Sequence, residues 1–352
     1  MKMEGEIMKS VGINGIAGRI GKFTAYELSK LGVEISAVND LASTDAIVES
    51  LSHRDGVHGN LEWKVEKIDE KRISINGFPA EVFHEKDPAN IIWGNDIYVV
   101  GECAGPFTKR EDAERHFHSS NALETVLISA PGTGDMKTLV MGVNHTDYRI
   151  GDRVVSNASC TTKALAVPMQ VLIDAGVVIY GVQMVTTHAA TNTQKPLDFM
   201  DSYGVLDVIS SAKTGAAIAT GKVIPYLDGK MGGFAMRVPT RNGSFANVFF
   251  AAEGDDLSPE KINSIFEEAK SNPEYCGRID VFYGKEISSP DIIGNTASSV
   301  ISSAKTNSII LPFQAMANLA YQTALIGIVS GYDNERAPAK DLAMLAKYVM
   351  SR

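Results

Sequence analysis

Short apolar runs punctuate the first part of the chain: VGI at 11–13, ISAV at 35–38, IYVV at 97–100, VLIS at 126–129 and VVS at 154–156. Most are separated by helix-like or Gly/Pro-rich segments, the pattern of a largely parallel, doubly wound sheet. Past Cys160 the texture changes. Long strand-like stretches (VIYGVQMVTTHAA, GGFAMRVP and SFANVFFAAEG) alternate with helix candidates such as SPEKINSIFEEAK. This half predicts an α+β domain with a mixed or antiparallel sheet. The segment 337–350 has the spacing of an amphipathic helix. No internal repeat or low-complexity linker interrupts the chain.

The apolar run at 11–13 feeds GINGIAGRIGK, which opens a helix with Ile20, Phe23, Leu28 and Leu31 on one face before Gly32 stops it. A strand, a Gly-rich turn and a helix form the context in which backbone N–H groups cradle a pyrophosphate. About twenty residues on, a second strand ends in Asn39-Asp40, where a carboxylate can accept from an adenosine ribose. Gly15, Gly18 and Gly21 are spaced one residue wider than the common dinucleotide fingerprint, so the loop follows an altered path. The alternative is a structural turn and a surface Asp. With all three parts in place, a dinucleotide site is the better reading.

Composition narrows the field. The 352 residues, 44% hydrophobic and 21% charged, suit a globular protein of two domains. A net charge of −9 argues against a broad surface for nucleic acid or acidic lipid, so any anion site is local. Cys103, Cys160 and Cys276 are odd in number and far apart, which fits a reducing cytoplasm and neither a disulfide framework nor a zinc site. No apolar leader core and no apolar run of membrane-spanning length is present, so no signal peptide or membrane helix is expected.

The stretch SNASCTTK places Cys160 between a strand end at Val154-Val155 and a helix marked by Ala164, Leu165, Ala166, Met169, Leu172 and Ile173, with Pro168 as an expected kink. A thiol at a helix N-terminus is favoured as thiolate, and Ser159, Thr161 and Thr162 suit capping and anion contact. A buried filler cysteine remains the competing reading. VTTHAATNTQK puts His188 on a strand-like run that can return to Cys160, in the company of Thr191, Thr193 and Arg237. Such a pair supplies a nucleophile and its base, although a lone His on a strand is also a common core residue.

GIN, VND, HEKDPAN, SAPGTGD, GVNH, SNASCTT, THAATNTQK, KTGAAIATGKVIP, MRVPT and YDNE occur in this order. Together they make the chain resemble the glyceraldehyde-3-phosphate dehydrogenase family along nearly its whole length. The resemblance implies a Rossmann-type NAD-binding domain at residues 1–159, completed by a C-terminal helix at 333–352, and a catalytic domain at 160–332. It implies Cys160 as nucleophile and His188 as base. It places Thr191 and Arg237 at the substrate phosphate, with Ser159, Thr161, Thr214 and Gly215 at inorganic phosphate. Gly15, Gly18, Arg19, Ile20, Asp40, Lys86, Ser129 and Asn334 are the implied cofactor contacts, Asn334 at the nicotinamide carboxamide. Asp40 favours NAD over NADP. Oxidation of glyceraldehyde 3-phosphate with inorganic phosphate, by a homotetramer, is the implied activity. Another phosphorylated aldehyde such as erythrose 4-phosphate, or a weakened binding relative, are the alternatives.

Several positions depart from the family pattern. The segment between Lys195 and Thr214 is shorter and lacks an arginine- and glycine-rich part, which puts subunit contacts in question. Lys163 replaces a usual asparagine, Ala164 a second cysteine and Lys86 an arginine, while Cys103-Ala104-Gly105, Gly331 and Arg336-Ala337-Pro338 also differ. Lys213, or in second place Lys163, is expected to restore positive charge at the phosphate or the thiol.

Overall fold

The computed structural model describes residues 9–120, 122–191, 194–197, 203–206, 208–275, 277–311 and 321–352, so Thr193 and Cys276 lie outside the described residues. Contacts divide the chain into two units. One comprises Met1–Met141, His145–Ala158 and Pro338–Arg352, the other Gly142–Asn144 and Ser159–Ala337. In this division the stretch that returns to the first unit is Pro338–Arg352. Asp333 is held in the second unit, accepting from Asn242 Nδ2 at 2.8 Å and from the Gly294 amide at 2.7 Å.

In the first unit, strands β1 (Ser10–Asn14), β2 (Ile35–Asn39), β3 (Val65–Asp69), β4 (Arg72–Ile75), β5 (Phe78–Phe83), β6 (Ile97–Glu102), β7 (Thr125–Ile128), β8 (Lys137–Thr138) and β9 (Val154–Ser156) form one sheet. Its order is β3-β4-β5-β2-β1-β6-β7-β9-β8. From β5 to β8 every neighbour is parallel, with helices α1 (Arg19–Lys30) and α2 (Thr44–Ser52) following β1 and β2. This is the doubly wound class. The antiparallel edge β3-β4-β5 is an addition to it, closed by a two-residue turn in which Asn76 and Gly77 both take positive φ, as a tight hairpin requires. Helix α3 (Arg110–Ala113) is a single turn. A buried polar chain crosses the middle of the sheet. Trp93 Nε1 donates to His116 Nδ1, and His116 Nε2 meets Glu102 Oε2 at 2.9 Å. The same oxygen accepts from Asn14 Nδ2, while Glu102 Oε1 accepts from the Ala104 amide.

The second unit contains α4 (Cys160–Asp174), α5 (Ala216–Val223), α6 (Pro259–Ser271), α7 (Ser289–Ile292) and a sheet ordered β11-β12-β10-β13-β17-β15-β14, with β16 pairing β17. Its strands are β10 (Val178–His188), β11 (Ser210–Ala212), β12 (Met231–Arg237), β13 (Ser244–Gly254), β14 (Ile279–Phe282), β15 (Ser299–Ser302), β16 (Asn307–Ile310) and β17 (Gln322–Tyr332). The sheet is mixed, mostly antiparallel. Period-2 alternation on β10 buries Val182, Met184, Thr186 and His188 on one face. The other face leaves Phe234, Phe249, Leu325 and Ile309 exposed. Helix α4 runs unbroken through Pro168.

The chain's last helix, α8 (Arg336–Met350), sends Leu342, Ala343, Leu345, Ala346 and Val349 into the core of the first unit beside Val11, Ile13 and Leu28.

Candidate active site

Ser159 caps α4, its Oγ accepting from the Thr162 amide at 3.0 Å, and Cys160 is the first helical residue. Just upstream, Ala158 holds a φ of 56°, a left-handed conformation that a non-glycine residue adopts at a cost. The covered face of β10 brings His188 to the same place, with Cys160 Sγ 3.6 Å from His188 Nε2. On the far side of the ring, Nδ1 lies 2.7 Å from the Ala189 carbonyl. A carbonyl only accepts, so Nδ1 carries the hydrogen and Nε2 turns a lone pair to the thiol. Parallel register pairs His188 with Arg237, whose Nη1 reaches the same Ala189 carbonyl at 3.5 Å.

Burial lowers the His188 pKa to about 4, a shift the Ala189 carbonyl partly offsets, so the imidazole is neutral at working pH. Burial also pushes the Cys160 thiol up, opposed by Thr161 and then by the charges of Lys163 and Arg237. The thiol therefore faces an imidazole that can take its proton, in surroundings that disfavour the charged pair unless a cation compensates.

Tyr332, the last residue of β17, joins the site without any local sequence pattern that marks it as functional. Its hydroxyl meets Thr161 Oγ1 at 2.9 Å and Thr186 Oγ1 at 2.8 Å, and its ring stands edge-on to His188 at 6.0 Å. The neighbours of Cys160 and His188 are thus tied through one buried phenol. The sequence signal that could have found it is the family motif YDNE, which it opens. Asn334 sits beyond β17, its Oδ1 accepting from Ser244 Oγ and its amide donating to Asn242 Oδ1.

The Thr191 amide donates to Gln194 Oε1 and the Gln194 amide to the Thr191 carbonyl. Thr214 Oγ1 accepts from the Ala216 amide and Gly215 caps α5. Just before them, Ser210 of β11 pairs with Arg237 of β12. Lys213 is exposed, whereas Lys163 is buried within α4.

In the first unit a cleft of about 780 Å³ is lined by Gly15, Gly18, Asp40, Leu41, Lys86 and Phe107, among others. Gly15 has φ +80°, and a Cβ there would lie 2.6 Å from the Ala104 backbone; one on Gly21 would lie 2.1 Å from the Gly15 carbonyl. The loop's additional residue has a definite place, since the Ala17 amide donates to Asp40 Oδ2 at 2.9 Å while the Ala42 amide donates to Oδ1. Asp40 is thereby aimed by the loop itself. Arg19 and Ile20 open α1, and the Arg19 guanidinium pairs with Asp55 at 2.8 Å. Ser129, just past β7, donates its amide to the Glu102 carbonyl. A backbone-lined cradle that no side chain could share, opposite a fixed carboxylate, fits a dinucleotide.

Comparison with known proteins gives the class. Residues 9–110 match the family model described as the glyceraldehyde 3-phosphate dehydrogenase NAD binding domain, and residues 159–334 match that family's C-terminal domain. The fold and these matches define an NAD-dependent oxidoreductase. Glyceraldehyde-3-phosphate dehydrogenase 1 of Bacillus subtilis (strain 168) is 36% identical, covering 97% of this chain and 98% of its own. Glyceraldehyde-3-phosphate dehydrogenase of Geobacillus stearothermophilus is 35% identical with the same coverage. The chain belongs to the glyceraldehyde 3-phosphate dehydrogenase family. Among the described residues, no helix is long and apolar enough to cross a membrane.

Proposed function

We propose that the protein oxidises glyceraldehyde 3-phosphate to an acyl phosphate through a thioester on Cys160. The observation that carries the reading is the 3.6 Å approach of Cys160 Sγ to an imidazole nitrogen whose tautomer leaves it a lone pair. His188 takes the thiol proton as sulfur bonds to the aldehyde carbon, and returns it to the oxygen to give a thiohemiacetal. His188 then accepts the hydroxyl proton as the carbon loses hydride, leaving a thioester. NAD, when bound, supplies the hydride acceptor. A phosphate oxygen attacks the thioester carbon, the C–S bond breaks, and Cys160 leaves as thiolate. The N–H groups at the start of α4 stabilise the negative oxygen formed at each addition.

In this reading Thr191 and Arg237 hold the substrate phosphate. Ser159, Thr161, Thr214 and Gly215 hold inorganic phosphate, and Lys213 adds positive charge from the exposed side. Gly15, Gly18, Arg19, Ile20, Asp40, Lys86 and Ser129 hold NAD in the first domain, with Asn334 at the carboxamide. The apolar face carrying Phe234, Phe249 and Leu325 supports a homotetramer, because apolar patches on sheets are commonly covered by a partner.

The test is single-turnover hydride transfer with glyceraldehyde 3-phosphate and erythrose 4-phosphate, with and without inorganic phosphate. Cys160→Ser should lose at least about a thousandfold, as expected when the nucleophile is replaced by a far weaker one. His188→Asn should slow transfer while leaving NAD binding intact. Undiminished transfer in Cys160→Ser sinks the mechanism, and a faster reaction with the longer aldehyde reassigns the substrate.

A further inference from the structure

Lys163 stands where physical chemistry disfavours it. Its side chain is 1% exposed and among the largest fully buried ones in the chain, although lysine is among the residues least often buried. It also occupies the first turn of α4, where the positive end of the helix dipole opposes a cation. A neutral side chain of similar volume would avoid both costs. Local rules are broken most often at functional sites.

Cys160 and Lys163 are three residues apart on one helix, so they share a face. Helical side chains lean back over the preceding turn, which carries the Lys163 stem toward the turn that begins with Cys160. That turn holds no acidic side chain. Among the described residues, the other titratable and charged groups shown to act on the thiol are His188 from β10, Arg237 from β12 and Tyr332 from β17. His188 is neutral above about pH 4. Of the two cations, Lys163 acts on the thiol more strongly than Arg237.

We propose that Lys163 is a positioning residue for Cys160, its buried ammonium favouring the thiolate that forms as His188 takes the proton. This rests on the reading of Cys160 as the nucleophile. A charge–charge attraction gains strength where water is excluded, so a buried ammonium offsets the desolvation of the thiolate better than a surface one. Arg237 is half-buried, and in this reading a substrate phosphate neutralises it during turnover. Lys163 keeps its charge on the sulfur throughout. It assists twice, at attack and again when thiolate must leave the thioester.

The experiment is the pH dependence of iodoacetamide alkylation in the full-length protein, followed on the Cys160 peptide by mass spectrometry so that Cys103 does not contribute. Lys163→Met and Lys163→Gln should raise the apparent pKa by about one unit or more, the size expected for loss of a nearby opposite charge, and Lys163→Arg should restore it. Neutral variants that bind NAD normally and keep the wild-type profile overturn the proposal. If neither of these variants folds, Lys163→Asn, which restores the residue usual in the family at this position, takes their place, and a wild-type profile in it overturns the proposal equally. Hydride transfer in Cys160→Ser tests the nucleophile and alkylation tests Lys163, so the two readings fail separately.

Discussion

Replacing Glu102 by Gln should destabilise the NAD-binding domain by an amount set by its hydrogen bonds. Glu102 is 2% exposed, and its carboxylate accepts from Asn14 Nδ2 at 2.6 Å, the Ala104 amide at 2.7 Å and His116 Nε2 at 2.9 Å. The ring cannot adapt, because the Trp93 indole can only donate to Nδ1, which fixes the hydrogen on Nε2. Glutamine carries one acceptor oxygen. With that oxygen at the Oε2 position, its NH2 confronts the Ala104 amide; turned over, it confronts both Asn14 and His116. The first orientation opposes one donor instead of two and is preferred. A buried donor left without an acceptor costs about 1–3 kcal/mol. With a urea m-value of about 2 kcal/mol/M, the unfolding midpoint should drop by roughly 0.5–1.5 M. The chain's two tryptophans, Trp63 and Trp93, both belong to this domain, so intrinsic fluorescence reports its unfolding. NAD affinity should weaken as well, since Ala104 backs directly onto Gly15 in the cleft. Exposed Glu62→Gln is the control and should move the midpoint little. If Glu102→Gln behaves like that control, the carboxylate is not the acceptor hub described here.

Neutralising Asp40 as Asp40→Ser should raise the NADP-to-NAD ratio of kcat/KM by about tenfold or more, because repulsion of a 2′-phosphate is removed. An unchanged ratio would show that the carboxylate does not face the ribose. The buried His188 predicts acid lability of the catalytic domain. Its folded pKa, about 4, lies below the unfolded 6.5, so the unfolded state binds the extra proton between these values and stability is lost as pH falls through that window. The loss should reach about 2 kcal/mol by pH 4.5 and largely disappear in His188→Asn, read as the difference in urea midpoints at pH 7 and pH 4.5. Equal acid sensitivity in both proteins refutes the assignment.

Much of this molecule is legible from local pattern. Apolar runs mark β1, β2, β6, β7 and β9 because a strand covered on both faces has little room for polar side chains. The edge from Val65 to Phe83 is hard to see in the sequence because its strands alternate charge with apolar residues, and only Asn76-Gly77 signals a hairpin there. At the site, Cys160 and His188 stand out by residue type and spacing. Tyr332 does not, since its partners Thr161 and Thr186 come from distant points of the chain and only tertiary packing joins them. The two lysines teach the same lesson. Their sequence contexts look alike, yet one is on the surface and the other in the core, a distinction that depends on what covers the helix rather than on the helix itself.

The return of α8 to the first domain sets a timetable for biosynthesis. Leu342, Leu345 and Val349 are core residues of a domain whose other strands end by Ser156. About 180 residues of the second domain emerge from the ribosome between those two parts. At ~5–20 residues per second, the nascent first domain waits roughly ten to forty seconds with part of its core unfilled. The catalytic domain completes its own sheet in that interval. Of the two domains the N-terminal one is thus the first to be synthesised and the last to be sealed, and NAD, which favours the finished fold by mass action, can draw it closed only once α8 has emerged.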